Sequence, residues 1–313
     1  MCVIMPWSIA RGTAGGKHAA FCDCLLGPYA CGVPELPEVE TIRRDLEPLA
    51  VGRRIVGVEV DAATLPLLAG VPIDALRERL LGRVVTSLGR YGKHLVFGLD
   101  DGRAFVAHLR MTGRLLWRES GGPAEVYERA RLVLDDGHDL RWSDLRKFGT
   151  WRVVNDTREI TAGLGPEPID PSFTLGQFRA ALAGRKAPVK AVLLDQRRIS
   201  GLGNIYVDEA LHQARVRPDQ TAGLLGPAAT KRLFEACRAV LEEGIANRGA
   251  SFRDYVDGQG EQGRQHMYVK VFRRHGKPCY TCGTTIERIV VAGRGTHFCP
   301  TCQPKRGSRR SRS

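Results

Sequence analysis

The sequence predicts an α+β protein: an N-terminal antiparallel β-sandwich or barrel with one flanking helix, then a mostly helical half that ends in a four-cysteine hairpin. Three observations carry this reading. Residues 54–154 hold short apolar runs alternating with polar residues, residues 175–246 change to helical spacing, and four late cysteines fall in the pattern C-x2-C-x16-C-x2-C. A chain of 313 residues is long enough for two domains or more, each with its own core.

The flanking helix begins at Pro37, which suits a first turn, with Glu38 and Glu40 near its positive end and Val39, Ile42, Leu46 and Leu49 at helical spacing. Pro48 marks its close. Strands are read in Arg83 to Ser87, His94 to Leu99, Ala104 to Leu109 and Leu132 to Leu134. The Asp-Asp-Gly triplets at Asp100 to Gly102 and Asp135 to Gly137 are hairpin turns between such runs. Gly163 to Pro168 reads as a linker. Helices follow in Leu175 to Ala183, Val189 to Gln196, Ile205 to Ala214 and Ala228 to Ala246. Residues 249–266, rich in Gly, Gln and charge, read as a mobile loop.

Composition narrows the partners. Lys and Arg number 47 against 34 Asp and Glu; without residues 1–33, which hold Arg11, Lys17 and Asp23, the balance is 45 against 33, a net +12. Such an excess favours a polyanion, nucleic acid first. No apolar run reaches membrane-spanning length, and the first 33 residues lack a secretory apolar core, so a cytoplasmic, bacterial-type protein is expected. The tail from residue 304, with Lys305, Arg306, Arg309, Arg310 and Arg312, has no acidic counterweight and is expected to be disordered and weakly phosphate-binding.

Of nine cysteines, only Cys279, Cys282, Cys299 and Cys302 carry a signal. Their two knuckles suit one structural Zn2+ held by four thiolates, which leaves no open position for a substrate; disulfides or a redox pair are the other uses of such thiols. Cys237 lies in an apolar helical pattern and reads as core.

The segment Pro34-Glu35-Leu36-Pro37-Glu38-Val39-Glu40 makes most chemical sense if Pro34 is the first residue of the native protein. An N-terminal proline is a secondary amine, with a pKa near about 8, that can attack an electrophilic carbon; an internal one has no usable lone pair. Val33, read as an initiator, would be incorporated as methionine and trimmed before proline. Residues 1–33 are then an upstream stretch that the native chain lacks, or a disordered leader.

Four segments, Pro34 to Glu40, Ser87 to Leu95 (SLGRYGKHL), the Gly201-Leu202-Gly203-Asn204-Ile205-Tyr206 turn and the cysteine hairpin, resemble in order and spacing the formamidopyrimidine-DNA glycosylase family, which also contains endonuclease VIII. The resemblance runs from Pro34 to about Lys305. It implies a catalytic β-sandwich domain over 34–160, a helical helix-two-turn-helix domain over 161–275 with a lesion loop at 249–266, a zinc finger over 276–303 and a basic tail. It further implies a bifunctional enzyme, a monomer acting on double-stranded DNA in the nucleoid, that excises oxidised purines and then cuts the strand.

In that resemblance Pro34 attacks C1′ of the damaged nucleotide and Glu35 donates a proton to open the sugar. Lys93 corresponds to a hairpin lysine assisting β-elimination, and Arg294, between Gly293 and Gly295, to the zinc-hairpin arginine of δ-elimination. Met111, Arg146 and Phe148 match a trio inserted into the duplex, although read alone Met111 and Phe148 could be core. Lys186 and Arg253 match DNA contacts. Asn204 is expected to cap the second helix of the turn, leaving glycine-exposed N–H groups as a phosphate cradle. Tyr127 departs from a DNA-contacting histidine. Two other readings stay open: an endonuclease VIII-type enzyme for oxidised pyrimidines, and, should the leader persist, a zinc-containing DNA binder without catalysis.

Overall fold

The computed structural model describes residues 33–61, 68, 71–252 and 254–305. The leader up to residue 32, the tail from 306 and Arg253 lie outside the described residues. Helix α1 (Leu36–Ala50) starts at the Pro37 turn and continues two residues past Pro48. Its apolar stripe is divided. Val39, Ile42, Leu46 and Ala50 enter one core, whereas Leu36 belongs to another, so the first turn of α1 joins the two.

The first core lies under strands β1 (Ile55–Val60), β2 (Val85–Tyr91), β3 (His94–Leu99), β4 (Ala104–His108), β5 (Gly113–Glu119), β6 (Glu128–Leu134), β7 (His138–Asp144) and β8 (Thr150–Val154). They form two antiparallel sheets, ordered β1-β6-β7-β5 and β2-β3-β4-β8. Trp142 of the first sheet meets Trp151 of the second edge-on, with ring centroids 5.8 Å apart, the aromatic contact expected inside a sandwich. Both Asp-Asp-Gly triplets are the turns read from the sequence, at β3–β4 and β6–β7, with Gly102 and Gly137 left-handed. One element was not foreseen: α2 (Ile73–Leu80) interrupts the β region, burying Leu76 and Leu80. Ile73, Leu76 and Leu80 do fall at helical spacing, but a run of only eight residues between strands is too short to stand out.

After the short α3 (Arg158–Thr161) come α4 (Leu175–Leu182), α5 (Val189–Leu194), α6 (Asn204–Gln213) and α7 (Pro227–Ala246), close to the helices read from periodicity. Phe178, Leu193, Tyr206, Leu233 and Leu241 are fully buried in their shared core. Cys237 is buried there too, its thiol pushed up to about 12 by burial, as befits an inert core residue. The hairpin β9 (Glu287–Val291) and β10 (Arg294–Phe298) follows, and the neighbouring Cys279, Cys299 and Cys302 share a small core with Val271 and Ile286. Among the described residues no helix is long and apolar enough to cross a membrane.

Candidate active site and nucleic-acid interface

The turn that precedes α6 receives the start of α1. Leu36 donates its N–H to the Gly201 carbonyl at 3.1 Å, and the Glu35 carboxylate accepts from the N–H groups of Ile205 (2.8 Å) and Tyr206 (3.4 Å). Two glycines make room. A Cβ on Gly201 would lie 2.4 Å from the Leu36 side chain, and one on Gly203 would lie 2.3 Å from the Glu35 carboxyl carbon. Two expectations are thereby corrected. Gly203, not Asn204, occupies the cap of α6, and the first helical N–H groups hold Glu35 instead of standing open as a phosphate cradle. The helix end does hold an anion, but it is the chain's own carboxylate in place of the expected phosphate.

Burial lifts the Glu35 carboxyl to about 7; the nearby Lys93 ammonium and the two α6 N–H groups oppose this, and Glu38 reinforces it. A carboxylic acid tuned to neutrality is suited to donate a proton. Glu38, read from the sequence as little more than a helix-start charge, is a buried hub. It accepts from the Glu35 N–H (2.9 Å), the Tyr206 hydroxyl (2.8 Å) and the Ala250 N–H (2.7 Å), and burial raises its own pKa despite these bonds. Pro34 is buried directly before this pair.

Lys93 sits in the β2–β3 turn, yet it is not a solvated tip. Its ammonium donates to the Leu202 carbonyl at 2.9 Å, and burial lowers its pKa against the pull of Glu35 and Glu38, with Arg294 adding to the depression. Gln196 holds the facing turn by bonding Gly201 N–H (3.0 Å) and Leu202 O (2.8 Å). The turn of Lys93 is fixed from behind. Arg90 grips Glu167 with two 2.7 Å bonds and Glu40 with one of 3.0 Å, while Glu167 also accepts the Gly92 N–H at 2.6 Å. Burial works against ionised Glu40, but Arg43, Arg44 and Arg90 bring it down to about 2. The Gly163 to Pro168 stretch, read as a linker, is therefore a strut.

Beside this cluster stands the tip of the zinc hairpin. Arg294 is exposed at the start of β10, after a turn in which Ala292 and Gly293 are both left-handed. Asn204 reaches across to it, its side-chain amide donating to the Gly295 carbonyl at 3.1 Å while its buried Oδ1 has no partner among the described residues. Lys190, fully buried, bonds Asp208 at 2.7 Å and Gly295 O at 3.3 Å. Sequence reasoning missed Lys190 and Asp208; a lysine and an aspartate on two apolar helices are visible as a pair only once folded.

The four hairpin cysteines bring their sulfur atoms within 4.8 Å of one another, at 3.9 Å for Cys279 to Cys302, 3.4 Å for Cys282 to Cys299 and 3.6 Å for Cys282 to Cys302. A zinc tetrahedron with Zn–S near 2.3 Å needs sulfur separations of about 3.8 Å. The donor set therefore fits one structural zinc, whose chemistry is to fold the knuckles and not to meet substrate.

A second group of residues faces outward. Phe148 is 51% exposed, Arg146 lies 4.7 Å over its ring, and Met111 is half-buried, so Met111 and Phe148 are not core. Asp144 ties their two loops together. Its carboxylate accepts from Thr112 Oγ1 and from the N–H groups of Arg146 (3.2 Å) and Gly149 (2.8 Å), and Thr112 Oγ1 also accepts the Arg146 N–H. Arg110 and Lys147, both left-handed without being glycine, belong to these loops, and Tyr127, left-handed too, ends the β5–β6 loop, a concentration of backbone strain usual at functional surfaces.

Comparison with known proteins agrees with this geometry. Family models match at residues 33–151 (formamidopyrimidine-DNA glycosylase N-terminal domain), 164–255 (its H2TH domain) and 276–305 (zinc finger found in FPG and IleRS). The chain is 46% identical over 281 residues to the formamidopyrimidine-DNA glycosylase of Heliobacterium modesticaldum, covering 87% of this chain and 100% of that one. The chain belongs to the formamidopyrimidine-DNA glycosylase family. The Gloeobacter violaceus formamidopyrimidine-DNA glycosylase is 45% identical, over 87% of this chain and 98% of its own. Solved structures of the Lactococcus lactis enzyme, one in complex with an abasic site containing DNA and another, a mutant, with a Fapy-dG containing DNA, share 34% identity at a TM-score of 0.81, over 87% of this chain and 100% of theirs. Formamidopyrimidine-DNA glycosylases are DNA glycosylases of base excision repair that also carry AP lyase activity.

Within this glycosylase the remaining residues expected at the interface are less connected. Lys186 is exposed on the α4–α5 turn and makes no hydrogen bond or ion pair with another described residue. Tyr127, half-exposed, is fixed through its carbonyl, which accepts the Asp144 N–H at 3.0 Å. Among its described residues the loop 249–266 has no strand or helix beyond one short 3-10 turn, Gln265–Met267, but it is not free. Arg248 pairs with Asp45 and Asp257, Trp117 N–H bonds Gly258 O at 2.9 Å, and Arg114 and Arg118 bond the carbonyls of Asp254 and Gln259. Its composition gave no hint of these anchors, because they come from α1 and β5.

Proposed function

We propose that this chain is a bifunctional glycosylase and AP lyase that excises oxidised purines, 8-oxoguanine and formamidopyrimidines, through a Schiff base on Pro34. The observation that carries this is the Glu35 carboxyl, adjacent to Pro34, buried and raised to about 7, with Lys93 beside it. The start of the family match at residue 33 supports Pro34 as the native first residue. With its amine free, Pro34 attacks C1′ as the C1′–N bond breaks, and the departing base takes up the proton that the proline nitrogen gives up. Glu35 gives its proton to the ring oxygen, leaving an open-chain iminium between Pro34 nitrogen and C1′. Lys93 and then Arg294 serve the β- and δ-eliminations that release the strand ends.

Met111 and Phe148 occupy the space vacated by the extruded nucleotide and Arg146 holds the orphaned base. Lys186, Asn204 and Arg253 meet the backbone or the flipped nucleotide. The domains run from 34 to 160, 161 to 275 and 276 to 303, and the enzyme works as a monomer on chromosomal DNA in the cytoplasm, with the nucleoid.

Borohydride trapping on duplexes carrying 8-oxoguanine or thymine glycol tests this, together with the intact mass of the native protein. A covalent adduct on the 8-oxoguanine duplex from a chain beginning at Pro34 is the expected result. An adduct with thymine glycol alone selects the endonuclease VIII reading. Binding without any adduct, from a chain that retains its leader, selects the non-catalytic binder, because an acylated proline nitrogen cannot form an iminium.

A further inference from the structure

Three polar residues of α6 lie four apart: Asn204, Asp208 and His212. That spacing puts them on one helix face, about 12 Å long, and each meets the zinc hairpin at a different point. Asn204 donates to the Gly295 carbonyl (3.1 Å). Asp208 Oδ2 accepts the main-chain N–H of His297 (2.9 Å), with the ring Nδ1 at 3.2 Å, while its Oδ1 receives Lys190. His212 Nε2 lies 3.6 Å from Cys279 Sγ. Helix and strand run in step. From Asn204 to Asp208 the helix advances about 6 Å, and from Gly295 to His297 the strand advances about 6.6 Å, so the two hydrogen bonds match one register only. A slip of β10 by one residue would turn Gly295 and His297 to the wrong face and carry Arg294 with them.

We propose that this face of α6 is a positioning rail for Arg294, with Asp208 as its central residue. Asp208 touches neither reacting atoms nor zinc. It fixes β10 by a main-chain bond three residues from Arg294, and through Lys190, which also bonds Gly295 O, it holds the segment from the other side. Because the same helix carries Glu35 on its first N–H groups, the rail sets the catalytic acid and the hairpin arginine in one frame. His212 extends the rail to the metal knuckle, as an imidazole N–H donor to the Cys279 thiolate.

This rests on the role proposed for Arg294, and the experiment separates the two. Zinc-loaded wild type, Asp208→Asn, Arg294→Ala and the double variant are incubated with an abasic-site duplex, and the ratio of β- to β,δ-elimination ends is read alongside zinc content. Asp208→Asn is expected to shift the ratio toward β-ends by about tenfold, to keep its zinc and to add nothing on top of Arg294→Ala, as coupled residues do. An unchanged ratio, a further loss on top of Arg294→Ala, or a shift accompanied by zinc loss overturns the rail. If Arg294→Ala itself leaves the ratio unchanged, the role of Arg294 fails and the rail with it. Should Asp208→Asn not fold, His212→Phe decides, since it leaves no buried lysine unpaired. The same direction of shift with zinc content unchanged supports the proposal, and a wild-type ratio, or a shift seen only where zinc is lost, overturns it.

Discussion

The junction of α1 with α6 and the outward loops around Phe148 solve opposite problems. At the junction the ionisable groups are largely withdrawn from water and matched: Glu35 by two helix N–H groups, Glu38 by three donors, Lys93 by a carbonyl. At the loops the Phe148 ring remains exposed, with the half-buried Arg146 guanidinium stacked over it. Chemistry on a sugar carbon needs a group whose protonation is tuned, and tuning requires dryness and fixed dipoles. Insertion into DNA needs apolar surface left uncovered until the duplex arrives. Perturbed proton affinity thus marks the first region and exposed apolar surface the second.

The largest test of that contrast is Glu35→Gln. It should lower single-turnover excision of 8-oxoguanine by about 10²–10⁴-fold, the usual worth of a positioned acid, while leaving lesion-duplex affinity nearly unchanged. Excision at the wild-type rate would remove Glu35 from the chemistry.

Next in size is a stability effect that only the buried region can show. The Glu35 carboxyl has an ordinary value of 4.5 and is raised to about 7 in the folded protein. Between those values the unfolded chain gives up its proton first. The stabilisation is therefore complete below about 4.5 and is lost as pH rises through about 7, by about 3 kcal/mol in all. Urea unfolding at pH 5 and pH 8 should show wild type losing more stability than Glu35→Gln, and identical pH dependence in the two would contradict the assignment.

The smallest effect belongs to the exposed region. Phe148→Ala should leave urea stability within about 0.5 kcal/mol yet weaken binding to a lesion duplex by about 1–2 kcal/mol, the order of one lost stacking contact. A substantial loss of stability would mean that the ring packs within the protein after all, and the contrast between the regions would dissolve.

Much of this was legible in one dimension because its cause is local. Pro37 and the apolar spacing after it mark α1, Gly102 and Gly137 mark two hairpins, and the cysteine spacing marks the metal knuckles. Asn204 shows where such reading fails. A short polar residue after glycine is a fair cap by type, yet the cap position was settled by Glu35, 169 residues earlier in the chain. The anchors of loop 249–266 and the strut Glu167–Arg90–Glu40 escaped for the same reason.

The sequence by itself determined which elements form, which thiols can bind zinc and which residues could do the chemistry, since propensity, turn stereochemistry and ligand type act over a few neighbours. Only the tertiary structure decided which of those groups are dry, which are paired and which stay exposed. The proton affinity of Glu35, the seat of Lys93 and the register of Arg294 depend on burial and on partners distant in the chain, and both exist only once α1, α6 and the hairpin have packed together.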